Sequence, residues 1–358
     1  MRWMRVLASF GLWVVAAAAT AYEAEPLTAE ETAAAAADYQ KYCSLCHGED
    51  RAGNANDNAP SLKSKTLMHT GFPEFLLFTV AYGRRGTPMG GYFEEIGGPM
   101  DNAELYRLVR WLKEQVDVES IDLPPEPVRG DIGRGKAVYD RECAGCHGNN
   151  AEGDIGPAIG NPAFLALASD AFIRYTIEHG RDGTDMLPFK GVLAENDIDA
   201  VTAYLRSRET DWTHQKPMLR PPPGPDQYIL NPSASAPEFE LREGMYIMAA
   251  DLDRALNEKR RMVVLDTRVT SMWQIAHVEG AVPIPYYYDD TSDLVEHLPR
   301  DGTWIFAYCE CPRAAAESVV RKLRAAGFEK SAVLYEGIQG WIALGYPVFV
   351  GELAPPAN

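Results

Sequence analysis

Six cysteines carry the chemistry of this 358-residue chain. Four lie in two pentads of one pattern, Cys43-Ser44-Leu45-Cys46-His47 and Cys143-Ala144-Gly145-Cys146-His147, the spacing at which a c-type haem is attached covalently. Two thiols three positions apart share one face of a helical turn, where both can form thioethers to a porphyrin edge, and the adjacent histidine then meets the iron. Each pentad therefore specifies a haem and its proximal ligand, with Cys43, Cys46 and His47 serving one and Cys143, Cys146 and His147 the other. Neither pentad has a second Cys/His pair at zinc-site spacing, which argues against structural zinc.

The stretches downstream of the pentads repeat each other. Tyr82-Gly83-Arg84-Arg85-Gly86-Thr87-Pro88-Met89 follows the first, and His179-Gly180-Arg181-Asp182-Gly183-Thr184-Asp185-Met186-Leu187-Pro188-Phe189 follows the second. The methionines stand 42 and 39 residues after their histidines. A helical pattern then runs over 101–116, with Leu105, Leu108, Val109 and Leu112 on one face, and another over 195–206, with Ile198, Val201 and Leu205. Over its first two thirds the chain closely resembles class I cytochrome c, including the Gly-Thr-Pro-Met type of loop that presents the distal sulfur. That resemblance makes Met89 and Met186 the sixth iron ligands and the two halves all-α cytochrome c domains. Methionine more often fills a core, and Met68 and Met100 lack the Gly-Thr context; Met100 is the alternative ligand for the first haem. His69 is the other conceivable distal ligand and reads as a surface or propionate-contacting histidine. Histidine with methionine gives a higher potential than two histidines. Arg84, Arg85 and Arg181 either neutralise haem propionates or are solvated loop arginines.

Two proline-rich breaks partition the chain. Ile121-Asp122-Leu123-Pro124-Pro125-Glu126-Pro127 closes the first unit, and a helical entry over 131–143 opens the second. The second break, from Lys216-Pro217 through Pro221-Pro222-Pro223-Gly224-Pro225 to Pro237, reads as a stiff, extended tether. Beyond it, apolar β-branched runs at 262–266, 304–308 and 332–335 alternate with an amphipathic helix over 314–326, the pattern of a parallel sheet with crossover helices. The expected division is a signal peptide over 1–21, cytochrome c domains over 22–120 and 128–210, a linker over 211–238 and an α/β domain over 239–350.

Cys309 stands directly after the second of these strands and before the helix, where ligands of parallel sheets collect. A thiol at a helix amino terminus is favoured as thiolate by unpaired amides and the macrodipole. Position alone leaves two readings, an activated thiolate and an inert buried cysteine. Val264-Leu265-Asp266-Thr267-Arg268, His277-Val278-Glu279-Gly280-Ala281-Val282-Pro283-Ile284-Pro285 and the 334–348 stretch from Leu334-Tyr335-Glu336-Gly337 to Tyr346-Pro347-Val348 resemble, in order, a rhodanese-like domain over 240–350. The resemblance implies that Cys309 is a persulfide-carrying nucleophile and that Asp266, Arg268 and His277 hold loop and strand ends. The active loop, Cys309-Glu310-Cys311-Pro312-Arg313-Ala314, departs from the family pattern of a glycine-containing loop closed by a basic residue five positions on. Pro312 removes an amide donor, Glu310 opposes a thiolate and anionic substrates, and Arg313 is the only positive charge within the loop. Cys311 is placed to resolve a persulfide or sulfenate on Cys309, although a disulfide between cysteines two apart is strained.

A short basic segment, an apolar run over 6–20 and the small-x-small Ala19-Thr20-Ala21 read as a secretory signal; the run is shorter than the roughly 20 residues that span a bilayer, so membrane attachment requires that this segment stay uncleaved. The expected compartment is the periplasm. Removing 1–21 takes away Arg2 and Arg5 and no acids, leaving 32 basic against 51 acidic side chains, a net of −19. Such a chain repels nucleic acid and suits salt-sensitive docking to a basic redox protein, a cytochrome or an oxidase. Two covalent haems beside a sulfur-binding thiol suggest electron transfer coupled to oxidation of small sulfur compounds. The alternatives are an electron carrier whose rhodanese-like module only binds or senses, and an independent sulfurtransferase attached to a redox shuttle.

Overall fold

The structure, a computed structural model, describes residues 26–53, 58–71, 73–214, 216–287, 296–310 and 313–353. The expected signal segment 1–21 and Cys311 lie outside the described residues. Two helical units precede an α/β domain, as the residue patterns require.

Each helical unit is bracketed by a first and a last helix that cross. In the first, Ala29–Tyr42 starts from a Thr28 capping box and packs on Asn102–Glu114, which starts from the equivalent box of Asp101 and Glu104. The periodicity over 101–116 overran the helix by a residue or two at each end because the cap at Asp101 and the turn at Gln115 sit outside it. In the second, Ile132–Glu142 packs on Glu195–Arg206. Here the backbones approach so closely that a Cβ at Gly135 would lie 2.0 Å from the Ala200 carbonyl oxygen. The corresponding residue of the first unit, Ala35, is fully buried.

The two units share one apolar core. The Phe75 ring lies 4.9 Å from Phe172 and 6.0 Å from Phe164. Each methionine loop reaches the partner unit at the amino end of a short helix. Asp182 accepts hydrogen bonds from the Lys65 amide (2.8 Å), the Thr66 amide (2.7 Å) and the Ser64 hydroxyl (3.0 Å), while the Arg85 carbonyl accepts from Asn161 Nδ2 (2.9 Å). Arg85 and Asp182 occupy matching loop positions, and Ser64 and Asn161 cap matching helices, so the units meet with approximate two-fold symmetry.

The third domain has strands β1 (Tyr246–Ile247), β2 (Met262–Asp266), β3 (Ala276–His277), β4 (Val282–Pro283), β5 (Trp304–Tyr308), β6 (Ser331–Leu334) and β7 (Phe349–Val350). Five of them form a parallel sheet in the order β1-β6-β5-β2-β4, and β3 pairs antiparallel with β7. Strand β2 is buried along its whole length and pairs with β5 from Met262 opposite Trp304 to Asp266 opposite Tyr308. The helix Ala314–Ala325 covers one face, and Ala249–Asn257 with Gly337–Ala343 cover the other, which is why these strands are apolar on both sides. Strand β6 begins one residue earlier than the apolar run suggested, because Ser331 buries its hydroxyl against the Phe328 carbonyl.

The described residues of 211–238 are extended apart from the 3-10 turn Pro225–Gln227 and the turns up to 234, and the segment is held rather than free. Arg220 exchanges hydrogen bonds with Gln274 and stacks on Phe349 at 4.1 Å. Leu230 and Met262 exchange backbone bonds, and the His214 ring stacks on Tyr82 at 4.0 Å. Prolines lose donors but keep carbonyls and ring faces, and the intervening residues supply the pins. Among the described residues no helix is long and apolar enough to cross a membrane.

Candidate haem-attachment sites and a candidate sulfur-carrying thiol

The two pentads adopt one geometry. Each first cysteine ends the leading helix, and a single turn, Ser44–His47 or Ala144–His147, carries the other two groups. Tyr39 and Tyr139 donate their hydroxyls to the Gly48 and Gly148 carbonyls at 2.6 and 2.7 Å, tying turn to helix. The His47 ring is buried and its Nδ1 bonds the Pro60 carbonyl at 2.9 Å; His147 does the same with Pro157 at 2.9 Å. A carbonyl only accepts, so Nδ1 carries the proton and Nε2 keeps its lone pair for a metal. Burial lowers both histidine pKa values against the opposing effect of those bonds. Among the described residues the cysteines at 43, 46, 143 and 146 form no disulfide.

The methionine loops are also duplicates. Arg84 N donates to the Met89 carbonyl (2.7 Å), the Thr87 hydroxyl to the Arg84 carbonyl (2.7 Å), and Met89 N to the Thr87 hydroxyl (3.2 Å). The second loop repeats these bonds with Arg181, Thr184 and Met186 at 2.8, 2.7 and 3.2 Å. Both loops turn on glycines at positive φ, Gly83 and Gly86 in one, Gly180 and Gly183 in the other. Met89 and Met186 are half-buried. Met100, the alternative ligand, is 1 % exposed and sits between backbone bonds to Tyr92 and Glu94 within the core. His69 directs Nδ1 at the Glu119 carbonyl.

A haem fits these residues on a further ground. Among the described residues Arg84 Nε and Arg181 Nη1 are buried without an acceptor and neither guanidinium pairs with a carboxylate; Arg84 lies instead over Phe164 (5.1 Å) and Phe75 (5.7 Å), and Arg181 over Phe172 (5.0 Å). Burial pushes each arginine down to about 10. Buried cations with open donors call for an anion, which porphyrin propionates supply. Arg85 is exposed.

Cys309 follows β5 and is 5 % exposed, its thiol donating to the Glu310 carbonyl at 3.0 Å. The helix does not begin beside it: Ala314–Ala325 starts from Arg313, so residues 310–313 separate the thiol from the helix end. The two charges assigned to this loop are also redistributed. Glu310 is buried and points away into a network, accepting from Arg268 Nη1 (2.9 Å) and Gln339 Nε2 (2.7 Å). Arg268 grips Asp266 through Nε (2.9 Å) and Nη2 (2.6 Å), and the Tyr308 hydroxyl donates to Asp266 at 2.8 Å. The Glu310 charge is thereby balanced by Arg268, a cation brought to the loop from two residues beyond the end of β2. Arg313 instead donates to the Tyr335 carbonyl (3.1 Å), stacks on Tyr335 (4.3 Å) and lies 3.7 Å from Glu317. His277 is buried between Trp273 and Phe349, its Nδ1 on the Trp273 carbonyl at 2.8 Å, consistent with the structural part given to Asp266, Arg268 and His277.

One group of residues escaped the sequence reading. The α/β domain is seated on the first helical unit, where Tyr286 donates to the Tyr42 carbonyl (2.6 Å) and bonds the Tyr92 hydroxyl (3.0 Å), Tyr287 meets Tyr42 edge-on at 4.9 Å, and Ser271 bonds the Gly91 carbonyl. Val269 and Met272 lie so near Gly90 that a Cβ there would come within 2.4 Å of Val269 Cγ1. The only signal was the run Tyr286-Tyr287-Tyr288.

Comparison with known proteins matches the helical units and the α/β domain separately. The family model for subunit III of cbb3-type cytochrome c oxidase matches residues 30–112 and again 130–205, and the rhodanese-like domain model matches 248–344. A dihydro-heme d1 dehydrogenase of Pseudomonas aeruginosa is 38% identical over 22% of this chain and 16% of its own length. A cbb3-type cytochrome c oxidase subunit FixP of Bradyrhizobium sp. is 29% identical over 46% of this chain and 57% of its own. A probable adenylyltransferase/sulfurtransferase MoeZ of Mycobacterium tuberculosis is 29% identical over 28% and 26%. The chain thus spans less than two thirds of each of these relatives.

Proposed function

The chain joins two cytochrome c domains, a type that carries covalently bound haem c, to a rhodanese-like α/β domain with a five-stranded parallel sheet, and from this we propose that it is a periplasmic diheme electron carrier coupled to oxidation of a small sulfur compound at Cys309. The domains proposed are 22–120, 128–210 and 239–350. Cys43, Cys46, His47 and Met89 would hold one haem, and Cys143, Cys146, His147 and Met186 the other. Bound there, each haem supplies reversible one-electron iron chemistry at the high potential that histidine and methionine favour.

The chain's own part is to hold and discharge sulfur. Sulfide and the Cys309 thiolate would join in a new S–S bond: HS⁻ and Cys–S⁻ become Cys–S–S⁻ with release of one proton and two electrons. A haem held by Cys43, Cys46 and His47 and another held by Cys143, Cys146 and His147 would each supply a one-electron acceptor for that pair. The persulfide sulfur then passes to a nucleophilic acceptor, which restores the thiolate. The Arg268 network keeps the Glu310 carboxylate off the thiol, which lessens the repulsion that an anionic substrate would meet there.

The observation that carries this reading is the contact between the domain bearing Cys309 and the residues that flank the first pentad and methionine loop, Tyr42, Gly90 and Gly91, through Tyr286, Val269 and Ser271. A second reading, a pure electron carrier with a non-catalytic rhodanese-like module, draws on the 5 % exposure of Cys309. A third, an independent sulfurtransferase, draws on the likeness to the sulfurtransferase of Mycobacterium tuberculosis. The external partner proposed is a one-electron redox protein. Visible spectra of the air-oxidised protein, before and after anaerobic sulfide, polysulfide or thiosulfate, test the choice. Growth of the ferrohaem α-band that is lost in Cys309→Ser supports the coupled reading. Reduction by dithionite alone leaves the carrier, and sulfur transfer without haem reduction leaves the sulfurtransferase.

A further inference from the structure

Tyr286 belongs to two cores at once. It packs against the apolar cluster of the helical units, beside Tyr42 and Cys43, and against the cluster of the α/β domain that contains Cys309. Its backbone and side chain complete a continuous run of bonds. Cys309 follows Tyr308 in the chain, and the Tyr308 carbonyl accepts from the Thr267 amide at 2.9 Å. The Thr267 carbonyl accepts from the Tyr286 amide at 3.0 Å. The Tyr286 hydroxyl then donates to the Tyr42 carbonyl at 2.6 Å, and Tyr42 is bonded to Cys43. Three hydrogen bonds and otherwise covalent links therefore connect the candidate sulfur site to the candidate thioether edge of the first haem. Burial pushes the Tyr286 hydroxyl well above its ordinary range.

The second unit has nothing comparable at the matching positions. Tyr42 is replaced by the exposed Glu142, and Gly90-Gly91 by Leu187-Pro188, with Leu187 70 % exposed. Cys146 is exposed where Cys46 is half-buried. The glycines of the first loop make room for Val269 and Met272, so the asymmetry is built into the duplicated sequence itself.

We propose that Tyr286 is the contact through which electrons leave the Cys309 site, that the first pentad is their entry point to the cytochrome half, and that the open second unit delivers them onward. This rests on the coupled reading above. The electrons are the pair released when sulfide and the Cys309 thiolate form the persulfide, and they leave one at a time for the haems. Electron tunnelling weakens steeply when a hydrogen bond becomes a through-space gap. Tyr286→Phe keeps the ring and its packing but opens the last link to Tyr42.

The test compares the native chain, Tyr286→Phe and Cys309→Ser, full length and haem-loaded. Sulfide-driven growth of the α-band should slow at least severalfold in Tyr286→Phe, while the rate with dithionite is unchanged. Mass spectrometry should show Cys309 loading sulfur from polysulfide, a transfer that needs no electron removal, as fully in Tyr286→Phe as in the native chain. Redox titration should show a shift in one haem midpoint and not in the other. Cys309-dependent sulfide reduction at the native rate in Tyr286→Phe overturns the conduit and leaves the coupled reading standing. Absence of sulfide reduction in the native chain overturns both.

Discussion

Replacing Arg268 by alanine should cost the rhodanese-like domain about 3 kcal/mol, the lower end of the ~3–5 kcal/mol for stranding a buried charge. The reasoning is local. Arg268 is 7 % exposed and its guanidinium is shared between Asp266, which is fully buried, and Glu310, 4 % exposed. Its removal leaves two buried carboxylates that retain only neutral donors, the Tyr308 hydroxyl and the backbone amide of residue 268 for Asp266, and Gln339 for Glu310. Those remaining bonds hold the loss near the bottom of the range. Arg268→Lys keeps the charge but cannot fork to both carboxylates, so it should cost about 1–2 kcal/mol. Amide hydrogen exchange in the strands Met262–Asp266 and Trp304–Tyr308 reads the opening free energy of this domain by itself, and the helix Ala29–Tyr42 serves as the internal control. A loss under about 1 kcal/mol in Arg268→Ala would refute the argument, because it would mean that the two carboxylates do not depend on Arg268. The same variant frees Glu310 beside the thiol, so sulfur loading of Cys309 from polysulfide should fall in parallel.

Gly135→Ala should disrupt the helix crossing of the second unit, since the new Cβ would lie 2.0 Å from the Ala200 carbonyl oxygen, a backbone atom; a cost of about 3 kcal/mol is expected, and bound haem measured as the pyridine haemochrome should fall from the proposed two per chain toward one. His277 is buried, which lowers its pKa below 6.5 against the opposing bond to Trp273. The unfolded chain therefore takes up the proton first, so the His277 contribution is complete above pH 6.5 and is lost as pH falls from there toward the folded value, at about 1.4 kcal/mol per unit of depression. Hydrogen exchange at pH 7.5 and 5.5 should show that loss in the native chain and a smaller one in His277→Gln.

What could be read in the chain were features whose geometry is closed over a few residues. A Cys-x-x-Cys-His turn places its three groups by helical spacing alone, and the structure repeats that turn at Cys43 and Cys143 with matching bonds. The Gly-Thr loops are equally local, because glycine at positive φ and a threonine hydroxyl bonding within five residues suffice to shape them. The apolar runs of β2 and β5 were legible because both faces of a central parallel strand are covered. Two-residue strands such as β1 and β7 have no period to detect, and only pairing makes them strands.

The loop around Cys309 shows where local reading ends. Glu310 stands next to the thiol in sequence, yet its charge is answered by Arg268, 42 positions away, because strands β2 and β5 lie side by side and bring both to one sheet edge. The proline-rich segment looked like a free tether because proline composition reports stiffness, whereas Arg220 and Gln274 decide where the segment is pinned. The sequence by itself determined the Cys-x-x-Cys-His turns, the methionine loops and the order of the domains, all set by backbone geometry and short-range pattern. Tertiary structure alone decided that the rhodanese-like domain rests beside the first pentad, since the bond from Tyr286 to Tyr42 spans 244 positions and depends on two distant surfaces fitting together.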